Sequence, residues 1–138
     1  MIGLGIDAVE VDRLRAVLAR RPGMAERLFT TGERAYAAEL RNPAPALAAR
    51  FAAKEAVMKA LGVGLGAFAW DDVEVVRQPS GRPEVVLRRR AAELARARGA
   101  GRWQLSLTHT DRLAMAVVAA TADGTPHAGG LPPTPETP

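Results

Sequence analysis

A chain of 138 residues with 48% hydrophobic and 25% charged side chains has the size of one globular domain, and no apolar run approaches the ~20 residues that span a bilayer. The absence of cysteine excludes disulfides, thiolate metal ligands and a cysteine nucleophile, leaving carboxylates, hydroxyls and two histidines for any chemistry. The first 121 residues hold 19 basic against 13 acidic side chains, a net +6 that suits acidic partners. No basic stretch precedes the short apolar run at the amino terminus, so it does not read as a secretory signal, and a cytoplasmic protein is expected.

Ile2-Gly3-Leu4-Gly5-Ile6 alternates branched apolar residues with glycine, the pattern of a strand closely packed on one face, and Asp7 is expected to end it. Val11, Leu14, Val17 and Leu18 recur at helical spacing among Arg13, Arg15, Arg20 and Arg21, predicting a short arginine-rich helix that stops at Pro22-Gly23. Thr30 and Glu33 have the spacing of a capping box, opening a helix to about Leu40 before Asn42-Pro43. From Ala46 to Leu61 there is no glycine, proline or turn residue, so a long helix is expected there, stopped by Gly62-Val63-Gly64-Leu65-Gly66.

Val73–Arg77 and Glu84–Leu87 are β-branched runs around Gln78-Pro79-Ser80-Gly81-Arg82-Pro83 and predict a hairpin. A helix over Arg88–Arg98 ends at Gly99-Ala100-Gly101. Trp103–Thr108 alternates with period two, and Leu113–Ala119 follows closely enough to form an antiparallel pair around His109-Thr110-Asp111-Arg112. Residues 122–138 hold five prolines with glycines and threonines, too little apolar surface for a core, and are expected to form a disordered tail beyond a domain at 1–121. Helices mixed with antiparallel strands in this order predict a small α+β domain.

On a helical wheel, Leu47, Phe51, Val57, Met58 and Leu61 share one arc, with Lys54 near its middle and Glu55 on its border. Lys54 then either snorkels to solvent or marks a site, and Glu55 either pairs with Lys59 one turn away or faces a pocket as a metal ligand. Lys54 and Lys59 are the only lysines among the 19 basic residues, and a flexible point charge beside a phosphate is a use for lysine that arginine fills less well. Asp7, after a strand whose glycines permit close approach, is either a turn residue or the partner of Glu55, and two carboxylates suit octahedral Mg²⁺. Gly62, Gly64 and Gly66 either stop the helix or offer backbone N–H groups to an anion. His109, at the end of a strand, is either a polar surface residue or a phosphate donor.

Three separated segments, Gly3–Arg13 (GLGIDAVEVDR), Arg50–Gly64 (RFAAKEAVMKALGVG) and Ser106–Thr110 (SLTHT), resemble the holo-acyl-carrier-protein synthases, the small phosphopantetheinyl transferases. Phe29–Tyr36 and the Gly81-Arg82-Pro83 turn fall where that family has them, so the resemblance covers about residues 1–121. It implies a 4′-phosphopantetheinyl-transferase-like α+β fold assembled as a homotrimer with active sites between subunits. It also implies transfer of 4′-phosphopantetheine from coenzyme A to a serine of apo acyl carrier protein, with Mg²⁺, releasing adenosine 3′,5′-bisphosphate. Carried over by position, Asp7 and Glu55 match the metal-binding carboxylates and, with Lys59, the catalytic group. Lys59, Gly62, Gly64, Gly66, Arg50, Gly81, Pro83 and His109 match coenzyme A contacts, and Arg13 and Arg20 lie on the helix that docks the carrier protein. The serine proton would pass to Glu55 directly or through a water. The Pro-rich tail and the heavy use of arginine depart from the family's pattern.

Two other functions compete with that expectation. A basic nucleic-acid-binding module would use the arginines on phosphates, but aromatics make up only 4% of the chain, leaving few stacking platforms, and Glu55 would have no task. A structural subunit tethered by the Pro-rich tail is the third reading. Neither a nucleic-acid partner nor a membrane is expected.

Overall fold

The computed structural model describes residues 1–122. The chain runs β1 (Gly3–Glu10), α1 (Val11–Arg20), α2 (Met24–Leu28), α3 (Thr31–Ala38), α4 (Ala44–Leu61), a 3₁₀ turn (Trp70–Asp72), β2 (Val73–Arg77), β3 (Pro83–Leu87), α5 (Arg89–Ala97), β4 (Ala100–His109) and β5 (Leu113–Ala122). The α+β class follows from antiparallel strands folded against these helices. The expected tail lies almost wholly outside the described residues. No helix among those described is long and apolar enough to cross a membrane.

Two antiparallel sheets form, one ordered β1-β5-β4 and one pairing β2 with β3. The β1–β5 ladder runs from Gly3 opposite Ala120 to Glu10 opposite Leu113. This corrects the expectation that Asp7 ends the first strand. Asp7 sits mid-strand opposite Ala116, because ladder bonds along the whole of β5 outweigh the poor strand preference of one aspartate.

Helix α4 lies on one face of the larger sheet. Alternation turns Gly3, Gly5, Asp7 and Val9 of β1 and Ala114, Ala116, Val118 and Ala120 of β5 toward it, and those four β5 residues are buried. Small side chains on both partners bring the helix close, and Ala48, Ala49, Ala52, Ala53 and Ala56 are buried along its length. Proline at position 45 is tolerated in the first turn, where an N–H would lack an intrahelical partner. Gly62 closes the other end in the left-handed region at φ 68°, with Val63 N–H donating to Met58 O at 3.0 Å.

Among the described residues, no helix covers the opposite face of the sheet. Its rows read Leu4–Ala119–Gln104, Ile6–Val117–Ser106 and Ala8–Met115–Thr108 across β1, β5 and β4. Leu4 and Ile6 are 60% and 55% exposed, so the centre of this face is apolar and open.

A buried ion pair ties the helices to the second sheet. Lys54 is fully buried, which corrects the snorkelling alternative: the 3₁₀ turn and β2 cover its end of α4, and its ammonium donates to Glu33 Oε1 at 2.7 Å, to Trp70 O at 3.0 Å and to Val73 O. Glu33 closes the expected capping box with Thr30 and also accepts from Val75 N–H at 2.9 Å, so α3, α4 and β2 meet at one carboxylate. Burial holds the Lys54 ammonium below its ordinary range, against the opposing pull of Glu33.

Candidate active site

Two glycines decide how the acidic residues meet. A Cβ on Gly3 would lie 1.9 Å from the carbonyl oxygen of Ala60, and one on Gly5 would lie 1.8 Å from that of Ala56. Helix α4 therefore rests on the bare backbone of β1, where any larger residue would hold the two apart. Asp7 leaves the same face of the strand two residues on, Glu55 leaves the adjoining turn of the helix, and the two line one cavity, close enough for the charge of Asp7 to act on the Glu55 carboxyl.

Lys59 reaches across from the last turn of α4, donating to Asp7 Oδ1 and to Ile6 O at 3.0 Å each. Its ion-pair partner is thus Asp7, not Glu55 one turn away, because the close strand brings a second carboxylate within reach. The Lys59 side chain is 56% exposed while that of Asp7 is only 12% exposed. The Glu55 carboxyl is held above its ordinary range first by burial and then by the charge of Asp7, with the Lys59 ammonium opposing. Two carboxylates pressed together against one half-exposed ammonium form a donor set that fits a hard divalent cation such as Mg²⁺, which keeps waters and phosphate oxygens in its remaining positions. Among the described residues no third histidine, aspartate or glutamate joins them.

The pair opens on a cavity of about 490 Å³. One wall is Glu10, Arg13, Leu14 and Val17, and the other is Met24, Leu28 and Phe51, so one arginine and a largely apolar floor stand beside the acids. Arg20, on the exposed last turn of α1, lies outside this lining. Gly62, Gly64 and Gly66 follow Lys59 beyond the end of α4, and all three are exposed. A larger cleft of about 550 Å³ between β3, α5 and β4 has Arg96 as the only charged residue in its lining, so its size carries no chemistry.

Arg50, Gly81, Pro83 and His109 gather elsewhere, around a cavity of about 190 Å³ that Tyr36, Arg77 and Leu107 also line. The expected site residues thus fall into two groups within one chain: Asp7, Glu55, Lys59 and Arg13 in one, and Arg50, Gly81, Pro83 and His109 in the other. Helix geometry requires this split, because residues five apart on α4 leave its axis about 140° from each other. Burial lowers the Arg50 guanidinium from its ordinary range, Arg77 adds to this, and Tyr36 and Glu33 oppose it. Sequence reasoning missed Tyr36 and Arg77; the one available signal was that Tyr36 is the only tyrosine in the chain.

Residues 3–118 match the model of the 4′-phosphopantetheinyl transferase superfamily. The chain belongs to that superfamily. It is 49% identical over 117 residues to a holo-[acyl-carrier-protein] synthase of Moorella thermoacetica, spanning 85% of this chain and 91% of that protein. The crystal structure of the holo-[acyl-carrier-protein] synthase from Neisseria meningitidis superposes with a TM-score of 0.80 at 28% identity, over 88% of this chain and 98% of that one. The Bacillus anthracis synthase, solved in complex with coenzyme A (3′,5′-ADP), superposes with a TM-score of 0.73 at 31% identity, over 88% and 96% of the two chains. The chain is an enzyme, a phosphopantetheinyl transferase of the holo-acyl-carrier-protein synthase type.

Proposed function

We propose that this transferase moves the 4′-phosphopantetheine group of coenzyme A to a serine hydroxyl of an apo acyl carrier protein, using Mg²⁺ and releasing adenosine 3′,5′-bisphosphate. The observation that carries this reading is the meeting of Asp7 and Glu55 on one cavity, with Arg13 in its wall and the Lys59 ammonium on Asp7. In the reaction the serine oxygen forms a bond to phosphorus, the diphosphate bond on the nucleotide side breaks, and the serine loses a proton. Asp7 and Glu55 would hold the cation, which supplies charge neutralisation for the diphosphate oxygens when bound. Lys59, anchored on Ile6 O and Asp7, places an ammonium on the same edge for a phosphate oxygen. The serine proton would pass to Glu55 directly or through a water.

Arg13 and Arg20, on the exposed face of α1, are assigned to the acidic carrier protein, with Leu14, Val17 and Met24 as the apolar floor beneath it. The Arg50 and His109 cavity is assigned to a phosphate of coenzyme A. Because one chain keeps these two groups apart, the complete site is assembled between copies in a homotrimer. The open apolar face of Leu4, Ile6 and Val117 supports that assembly, since a surface of this kind is ordinarily covered.

Incubating the protein with apo carrier proteins, coenzyme A and Mg²⁺ tests the reading by mass spectrometry of the carrier. Addition of one phosphopantetheine, abolished by chelator and reduced about 10³-fold or more in Asp7→Asn, is the expected result. A carrier mass unchanged across fatty-acid and polyketide carriers would overturn it.

A further inference from the structure

The small cavity holds an arrangement that the proposed reaction does not by itself explain. Arg50 is 4% exposed, and among the described residues its Nε has no hydrogen-bond partner. Among the described residues its one hydrogen bond runs from Nη1 to Ala46 O at 3.3 Å. No carboxylate among the described residues pairs with Arg50 or with Arg77, although both line the same cavity with His109. A buried guanidinium without a counter-charge is costly, and the cost is recovered when an anion enters.

Tyr36 joins the two cations. The Arg50 guanidinium lies 4.3 Å from the centre of its ring, that of Arg77 lies 5.4 Å from it, and Arg77 Nη1 donates to the Tyr36 hydroxyl at 2.6 Å. Two like charges would otherwise separate. The electron-rich ring attracts each of them, and the hydroxyl fixes the orientation of the second.

We propose that Tyr36 is a positioning residue for the anion pocket: it gathers Arg50 and Arg77 on one ring, so that a phosphate group of the substrate meets a pre-assembled pair of guanidiniums. The inference rests on the reading of this cavity as a coenzyme A subsite. Tyr36 acts through the arginines and need not touch the substrate. Its hydroxyl acts only through Arg77, whereas its ring acts on both.

Steady-state transfer with coenzyme A as the varied substrate tests this in four variants: Tyr36→Phe, Tyr36→Leu, Arg77→Met and the double variant Tyr36→Phe/Arg77→Met. Tyr36→Phe is expected to raise KM for coenzyme A about three-fold and Tyr36→Leu about ten-fold or more, with kcat within two-fold of the parent, as for lost ground-state binding. In the double variant KM should match that of Arg77→Met alone, because the hydroxyl has no second task. An unchanged KM in Tyr36→Leu overturns the proposal, as does a Tyr36→Phe effect that persists in full without Arg77, which would make the hydroxyl a direct ligand. Failure of the underlying reading shows separately: coenzyme A would then not be consumed by the parent protein, or Arg50→Ala would leave its KM unchanged.

Discussion

Asp7 and Glu55 line one cavity and the charge of the first acts on the carboxyl of the second, although one stands in the middle of a strand and the other on a helix. Two ionised carboxylates in a half-buried place repel, and this contact adds to burial in keeping Glu55 protonated above the ordinary value of 4.5. A carboxyl raised in the folded chain favours the fold below its ordinary value, and that contribution is lost as pH rises through the raised one. The cation-free protein should therefore lose thermal midpoint as pH climbs from 4.5 through the titration of Glu55, and Glu55→Gln should remove that part of the slope. Mg²⁺ needs both groups ionised, so its stabilising effect should grow across the same window. Thermal melts with and without Mg²⁺ check both signs, and identical pH profiles for parent and Glu55→Gln would show that folding does not raise the proton affinity of Glu55.

Gly5→Ala should separate those acids without touching either. The new Cβ would fall 1.8 Å from Ala56 O and 2.7 Å from Ala56 C, both backbone atoms, so the helix itself must move. A loss of about 2–3 kcal/mol by denaturant unfolding is expected, with transfer falling further than stability explains. Gly23→Ala is the control: it meets no atom within 4 Å but sits at φ 85°, and should cost only about 1 kcal/mol and leave transfer intact.

The two lysines of α4 should separate stability from activity. Lys54 and Glu33 are both fully buried, and Lys54→Met leaves a carboxylate without its ammonium, for an expected loss of about 3–5 kcal/mol. Lys59 is 56% exposed, so Lys59→Met should change stability by less than about 1 kcal/mol while lowering transfer at least about a hundred-fold. Chemical denaturation and carrier mass measured on the same preparations decide it.

Much of this was legible along the chain, and what was missed has a common cause. The capping box at Thr30, the arginine-rich helix, the hairpin and the final strand pair followed from local spacing, and each formed. The glycine alternation in Gly3 to Gly5 correctly signalled close packing, and through it the meeting of Asp7 with Glu55. The fates of Lys54 and Lys59 did not follow, because their partners, Glu33 and Asp7, lie on other elements and a helical wheel shows only neighbours on the same helix. Asp7 was misplaced at the end of its strand because strand preference is local, whereas its ladder partner Ala116 is supplied by the far end of the chain.

Arg13→Glu reverses a charge in the wall of the cavity beside Asp7 and Glu55 without altering the buried face of α1. Association with an acidic carrier protein should weaken at least about ten-fold at low salt and lose much of its salt dependence, with KM for coenzyme A unchanged. Titration calorimetry at two ionic strengths reads this, and an unaltered affinity would place the docking surface elsewhere.

Assembly between copies has a direct test in mixed oligomers. Asp7→Asn damages one group of site residues and Arg50→Ala the other, so at coenzyme A concentrations well below the raised KM of Arg50→Ala each variant alone should transfer very little. Co-expressed in equal amounts, they should recover roughly a quarter of parental transfer, the share of interfaces that draw an intact half from each copy. No recovery would mean that both halves serve within one chain. Ile6→Glu, at the 55% exposed centre of the open sheet face, should give monomers by sedimentation.

The spacing of the acidic couple is gauged by what β1 lacks. Because Gly3 and Gly5 offer bare backbone to the carbonyls of Ala60 and Ala56, the helix seats at the shortest separation that polypeptide allows, a mechanical stop that no choice of rotamer can adjust. Drift at those two positions can only lengthen the gap, so the tolerance of the site for mutation is narrowest at residues that carry no functional group at all.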